Sequence, residues 1–338
     1  MLEVGKESFQ QKKVESVSAT PLRASVVIVT WNTRDLTAQC IASLKESLGQ
    51  FPVEIVLVDN DSKDGTADYI AAEHPDVVLV QSGENLGFAR GNNLGFGHAR
   101  GEYLILLNSD TIVLPGAVQR LVEYLDEHPE IAAVGGEHRN GEREFVPEGY
   151  RFPSLWIDLS IAAGLYKFGP GLLKRRSRLA RLWYTWETGE VDWLGNSFVA
   201  FRREVIERVG ALPDEFFLYG EDVEWYWRMR QAGLRVAYVH GAPIIHLENQ
   251  SSDQLYKSNK PYHFLDASYV WASRHRNPLG WRLGWLAKAA HWAAQGVRWH
   301  LRGVLNKDEA ALEQARWLRK FARYHVDQVT GRIPPIPR

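Results

Sequence analysis

The sequence predicts an α/β protein: a doubly wound, mostly parallel sheet with helices on both faces, followed by a helical appendage. Three observations predict it. Short β-branched apolar runs alternate with segments of helical period through about the first 135 residues, which implies parallel strands joined by right-handed crossovers. Two of those runs end on acids, at Asp59 and in the turn Asn108-Ser109-Asp110. From Tyr269 onward thirteen lysines and arginines face four acids on a helical pattern rich in tryptophan.

The elements follow in order. Ser25 to Thr30 is continuous, β-branched and too short for a helix, so it is a buried strand. Leu36, Cys40, Ile41, Leu44 and Leu48 recur at helical spacing, and Val53 to Asp59 is a second strand. Ser62-Lys-Asp64-Gly65-Thr66 is rich in capping residues and opens a short helix to about His74. Val77 to Val80 is a third strand, Ala89 to Ala99 a helix, and Tyr103 begins a fourth strand. Pro115 to His128 is a helix with proline in its first turn. Trp193 to Phe201 reads as one strand and Arg203 to Val209 as a helix. Glu221 and Asp222 open the next helix, where the macrodipole favours negative charge, and Arg235 to His240 is a further strand.

Composition narrows the class. With 338 residues, 45% of them hydrophobic, the chain can hold one large domain and an appendage. Its single cysteine, Cys40, rules out an intrachain disulfide and fits a reducing compartment. No segment reads as a membrane span, and the N-terminus lacks the apolar core of a signal peptide, so a cytoplasmic location is expected. The net charge of −1 hides the basic C-terminal region and leaves the remainder acidic; with no recognition motif present, no nucleic-acid partner is expected.

The strand-end acids carry the chemistry. Open α/β sheets bind ligands at the carboxyl ends of their strands, and a hard cation such as Mg²⁺ or Mn²⁺ takes one or two carboxylates together with substrate phosphates. Asp110 stands where a metal–diphosphate would sit. Asp59, at the tip of the second strand, could accept the imide N–H of a uracil or thymine ring. Gly87, Gly91 and Gly95 would let backbone approach a nucleoside, with Asn93 hydrogen-bonding nearby. The run Gly91-x-x-x-Gly95-x-Gly97 mimics a dinucleotide fingerprint, but it follows the third strand instead of the first.

Val27-Ile-Val-Thr30-Trp-Asn32, Val58-Asp59-Asn60-Asp61-Ser62-Lys63-Asp64-Gly65-Thr66, Asn85-Leu-Gly87-Phe-Ala-Arg-Gly91-Asn-Asn93, Asn108-Ser-Asp110 and Gly220-Glu221-Asp222 occur in that order. Together they resemble a family 2 glycosyltransferase of the GT-A fold, in particular its rhamnosyltransferase-like branch, from about Ala24 to Ser252. The resemblance implies an inverting, metal-dependent transfer of a sugar from a nucleotide-sugar, dTDP-rhamnose or a UDP-sugar, to a polyprenyl-linked or polysaccharide acceptor. It implies Thr30, Asn32 and Asp59 as nucleoside contacts, Asp222 as general base and Glu221 as a shaper of the acceptor pocket. It also implies a late histidine on the metal, His246, with His240 as runner-up. Asn108 replaces the first aspartate of the wider family's Asp-x-Asp; as a poorer metal ligand, it would touch ribose or phosphate. The position often arginine in the family is Asn92 here, so that role does not pass to Arg90. Trp193, Tyr219 and Trp225 could stack on acceptor sugar faces.

The expected divisions are a loose arm over 1–23 and a catalytic unit over 24–268, split into a nucleotide-binding half (24–135) and an acceptor half (136–268). A basic helical region over 269–338 follows. Over Gly280 to Val304, Lys288, His291, Gln295, Arg298 and Arg302 form one polar stripe, with Trp285, Leu286, Ala289, Trp292, Ala293, Val297, Leu301 and Val304 largely opposite. Such a helix suits an anionic membrane surface, the alternative being a helix packed on its own domain. Lys174-Arg-Arg-Ser-Arg178 with Arg181 would extend that surface. A non-catalytic nucleotide-sugar or polysaccharide binder on the same fold is the second functional reading.

Overall fold

The computed structural model describes residues 21–165, 184–185, 187–216, 219–247 and 260–332. The Lys174–Arg181 cluster lies outside them. The first half alternates as the apolar periods require: β1 (Ala24–Thr30), α1 (Arg34–Leu48), β2 (Val53–Asp59), α2 (Thr66–Glu73), β3 (Val78–Gln81), α3 (Gly87–His98) and β4 (Tyr103–Asn108). β5 (Thr111–Val113), α4 (Ala117–Glu127), β6 (Ile131–Arg139), β7 (Phe145–Val146), β8 (Gly149–Tyr150) and α5 (Leu155–Ala162) follow. After these come β9 (Tyr184–Thr185), β10 (Gly189–Val191), β11 (Trp193–Leu194), β12 (Phe198–Arg202), α6 (Glu204–Val209), α7 (Glu221–Gln231) and β13 (Arg235–His246). Three helices close the chain: α8 (Lys260–His275), α9 (Pro278–Asn306) and α10 (Glu309–Thr330).

Among the described residues, the main sheet runs in the order β10-β13-β6-β12-β4-β1-β2-β3. Parallel pairing joins β3, β2, β1 and β4, and again β6 and β13. β12 is antiparallel between β4 and β6, so it stitches two parallel blocks together. β11 belongs with β8 and β9 in a small second sheet. The single strand expected over Trp193–Phe201 is therefore two, broken at Gly195-Asn196-Ser197, and that break becomes part of the site.

Both faces of the sheet are packed. Val26, Ile28, Leu57, Ile105 and Leu107 meet α1 and α4 residues on one face, while Val27, Val56, Leu104 and Leu106 meet α3 and α7 residues on the other. The glycines of α3 serve this packing. A Cβ on Gly95 would stand 2.4 Å from the Val27 side chain, and one on Gly91 2.9 Å from that of Val29. Gly91 and Gly95 thus bring the helix down onto the sheet, which corrects their expected role of admitting a nucleoside.

The C-terminal helices form a layer of their own. α8 runs straight through residue 268/269, where the sequence reading sets a boundary. Asn277 caps α9 by accepting from the Leu279 and Gly280 N–H groups, and Lys307 in the left-handed region (φ 53°) ends it. α9 and α10 then fold back as a hairpin, with α5 on another side of α9. Asp158 of α5, nearly wholly buried, pairs with Arg276 at 2.7 Å and with Lys288 at 2.9 Å. Lys288 therefore points inward, and Trp285 and Ala289 are buried. The polar stripe and apolar face read from the sequence do not divide the helix where the structure divides it.

Candidate active site

β4 ends at Asn108, and the chain turns through Ser109 and Asp110 into β5. β5 pairs with the far end of β13, with His246 opposite Thr111, and the Leu247 N–H donates to the Asp110 carbonyl at 2.9 Å. This register delivers the imidazole to the turn. His246 Nε2 lies 3.1 Å from Asp110 Oδ1 and 3.3 Å from Asn108 Nδ2. A carboxylate and an imidazole side by side suit a divalent cation, and the nitrogen ligand suits Mn²⁺ better than Mg²⁺. No group of three or more His, Cys, Asp or Glu capable of holding a metal occurs among the described residues, so the remaining ligands would come from a bound diphosphate and water. His240, the runner-up, pairs instead with Glu137 at 2.8 Å.

A buried histidine unforeseen in the sequence backs this corner. His138 has its ring 6.0 Å from that of His246. Its Nδ1 donates to the Gly136 carbonyl (3.1 Å), so in the neutral ring Nε2 accepts from the Ser197 hydroxyl (2.8 Å). Burial pushes its pKa down to about 3, which keeps it neutral. Ser197 in turn accepts the Asn108 N–H at its carbonyl (3.0 Å). Asn196, next in the loop, accepts the Tyr226 hydroxyl at Oδ1 (2.9 Å) and keeps a buried Nδ2 without a hydrogen-bond partner among the described residues. The only signals for these residues are Gly-Gly-Glu-His at a strand end and Gly-Asn-Ser between two apolar runs.

Tyr226 lies on α7, one turn beyond the acid pair. Left-handed Tyr219 (φ 65°) and Gly220 (φ 90°) swing the chain into that helix. Gly220 admits no side chain, since a Cβ would meet Ala267 at 2.8 Å and the Phe216 ring at 2.9 Å. Burial raises Asp222 to about 6; burial, then the charge of Asp222, raises Glu221 to about 8. Glu221 Oε2 is buried without a hydrogen-bond partner among the described residues. Burial and the proximity of the two charges thus make the pair hold its protons more tightly than ordinary carboxyls do. Behind them Glu224 receives His275 of α8 at 2.7 Å.

At the other end, Asp59 lies at the tip of β2 with its carboxylate accepting the Ser62 N–H, 3.3 Å from each oxygen. Burial raises its pKa. Asn32 ties the β1 and β2 loops together, donating its N–H to Ser62 Oγ (2.9 Å) and accepting the Lys63 N–H at Oδ1 (2.7 Å). Gly87 starts α3 in the left-handed region (φ 74°), its carbonyl accepting Asn60 Nδ2 at 3.1 Å.

Four expected contacts have partners within the fold. The buried Thr30 hydroxyl bonds Thr33 and Thr37 at 3.0 and 2.7 Å. The Asn93 amide pairs reciprocally with the Leu212 backbone at 2.8 and 3.0 Å, pinning α3 to the loop after α6. Trp225 is fully enclosed, donates to the Gly210 carbonyl and packs edge-on to Phe201, so it offers no face to a sugar. Trp193 stacks on Tyr150 with ring centroids 4.3 Å apart, and its Nε1 donates to the Arg151 carbonyl.

Comparison with known proteins places this geometry. The glycosyl transferase family 2 profile matches residues 25–210. An N-acetylglucosaminyl-diphospho-decaprenol L-rhamnosyltransferase of Mycobacterium tuberculosis is 29% identical over 285 residues, covering 79% of this chain and 91% of the relative. A poly-beta-1,6-N-acetyl-D-glucosamine synthase of Staphylococcus aureus is 26% identical over 187 residues, 55% of this chain and 40% of that protein. A mannosyltransferase from Pyrobaculum calidifontis, solved with GDP-Man and Mn²⁺, shares the fold with a TM-score of 0.55 at 18% identity, covering 92% of this chain and 87% of that one. The chain belongs to glycosyl transferase family 2, as a glycosyltransferase of the GT-A fold.

Proposed function

We propose that the protein is an inverting, divalent-metal-dependent glycosyltransferase that moves rhamnose from dTDP-rhamnose, or a sugar from a UDP-sugar, to a polyprenyl-linked or polysaccharide acceptor of cell-surface glycan synthesis. The observation that carries this reading is the Gly195–Ser197 loop. Its Ser197 bonds Asn108 and His138 on the Asp110 side, while Asn196 bonds Tyr226, which feels the charge of Asp222. Two carboxylates with separate tasks thus flank one short loop.

Asp222 takes the proton of the attacking acceptor hydroxyl as the new bond forms at the anomeric carbon, opposite the nucleoside diphosphate. Its raised pKa suits a base working near neutrality. Glu221 helps to shape the acceptor pocket. Asp59 accepts the imide N–H of the base, and Asn32 holds the loop that carries it. Asp110 and His246 would hold Mn²⁺ or Mg²⁺, which when bound neutralises charge on the leaving diphosphate. A single displacement at the anomeric carbon requires only one base. Family membership and identity with the mycobacterial relative support sugar transfer and the choice of rhamnose. Membership of the family favours an enzyme over a non-catalytic binder.

The test is release of nucleoside diphosphate from a panel of nucleotide-sugars with Mn²⁺ and a prenyl-diphosphate glycan acceptor, followed by assignment of the product's anomeric configuration. Inverted product from dTDP-rhamnose is expected. Retained configuration would remove Asp222 as the base of a single displacement, and preference for a purine nucleotide-sugar would remove Asp59 as a pyrimidine contact.

A further inference from the structure

α9 is apolar on two sides. Its inner side is Trp281, Trp285, Gly284, Gly296 and Gly303, all buried against α5, α8 and α10. The outer side carries Leu279, Leu283 and Leu286 in the first half and Val297, Leu301 and Val304 in the second, each between 42% and 67% exposed. Ala290, Ala293 and Ala294 fill the middle of the same stripe and are exposed as well. The spacing of three and four keeps these residues on one face for about 37 Å of helix. Exposed apolar surface of that extent marks a docking site.

Charge decides the occupant. α9 contains no aspartate or glutamate, and its one lysine is neutralised internally by Asp158. Arg282 flanks the stripe on one side and Arg298 and Arg302 on the other, all exposed. Arg282 lies over Trp281 and Arg302 over Trp299, at 5.1 and 5.0 Å. A second copy docked on the same face would bring two arginine-flanked, acid-free helices together with nothing to answer their charge. An anionic lipid surface answers both features, phosphates taking the guanidiniums and acyl chains the leucines.

We propose that the outer face of α9 lies on anionic lipid and holds the enzyme at a bilayer surface. It shares Leu286, Ala293, Val297, Leu301 and Val304 with the apolar face that the sequence suggests, but leaves out Trp285 and Ala289, which are buried inside. No helix among the described residues is long and apolar enough to cross a membrane; the proposed contact lies in the interface plane.

Flotation with phosphatidylcholine vesicles, with and without phosphatidylglycerol, tests this without donor or acceptor, so its outcome is separate from that of the transferase assay. Wild type should float with the anionic vesicles at low salt. Replacing Leu283, Leu286 and Leu301 by Gln should lower the bound fraction more than about tenfold at any salt concentration. Replacing Arg282, Arg298 and Arg302 by Gln should abolish the preference for phosphatidylglycerol, and salt should do the same to wild type. As a readout on an intact fold, Leu301→Cys can carry an environment-sensitive dye, since the native Cys40 is buried; its emission should shift to the blue on anionic vesicles. Wild type that stays unbound at low salt, a dye that does not respond, or equal flotation of the leucine variant would overturn the proposal. So would a dimer in sedimentation equilibrium that the leucine variant loses, which would assign the stripe to self-association.

Discussion

The sheet end and the C-terminal helical layer handle buried charge in opposite ways. At the sheet end, the buried Glu221 and the half-buried Asp222 are adjacent, no cation offsets them among the described residues, and both carboxyls are pushed toward neutrality. In the helical layer, Asp158 is equally buried but lies between Arg276 and Lys288. The first arrangement leaves a carboxyl ready to change protonation; the second uses charge as a clamp joining α5, α9 and the turn between α8 and α9. Poised groups and clamped groups should therefore fail differently when removed: one in rate, the other in stability.

The largest expected effect sharpens that contrast. Asp222→Asn should lower the transfer rate by about 10²- to 10⁴-fold while donor affinity stays within a few-fold and the melting temperature does not fall; a variant within a few-fold of wild-type rate would turn attention to Glu221. Next, Asp158→Ala strands two buried cations and should cost about 3–5 kcal/mol of stability, read from denaturant unfolding, with transfer per folded molecule nearly preserved. A stable but inactive Asp158→Ala protein would break the comparison.

Smaller effects follow from pH. Transfer should fall on the acid side of about pH 6, where Asp222 takes up its proton. Glu221 has a folded-state pKa raised to about 8, so its stabilising contribution is full in acid and is lost as pH rises through that value. Glu221→Gln should accordingly melt higher than wild type at pH 9 and alongside it at pH 5. Smallest in rate is Asp59→Ala, which should raise the donor KM and leave saturated turnover within a few-fold. Unchanged donor affinity would remove the base contact.

The two regions also differ in how far sequence reveals them. In the strands, a period of two and abrupt acidic ends fix which residue stands at a tip, so Asp59, Asn108 and Asp110 are legible. His246 is legible only through the family resemblance, since its meeting with Asp110 depends on β5 pairing with β13 across a long separation. His138, Asn196 and Ser197 were not, because their partners come from distant segments. Glycine misled at Gly91 and Gly95, where absence of a side chain serves packing instead of ligand approach. The inner face of α9 is not legible by period alone, because the helix is apolar on two sides; the cue is its glycines, Gly284 and Gly303, where a neighbour leaves no room for a Cβ, and Gly296, where Arg319 comes within 3.2 Å of one.

The central claim is that Asp110 and His246 form the metal side of the site that Asp222 serves. It is tested most directly by titrating Mn²⁺ into metal-stripped protein while following nucleoside diphosphate release. Wild type should be inactive without the ion and saturate with it, Asp110→Ala should stay inactive throughout, and His246→Ala should need more Mn²⁺ for half activity. Full turnover after verified removal of metal, or a titration unchanged by both substitutions, would contradict the account.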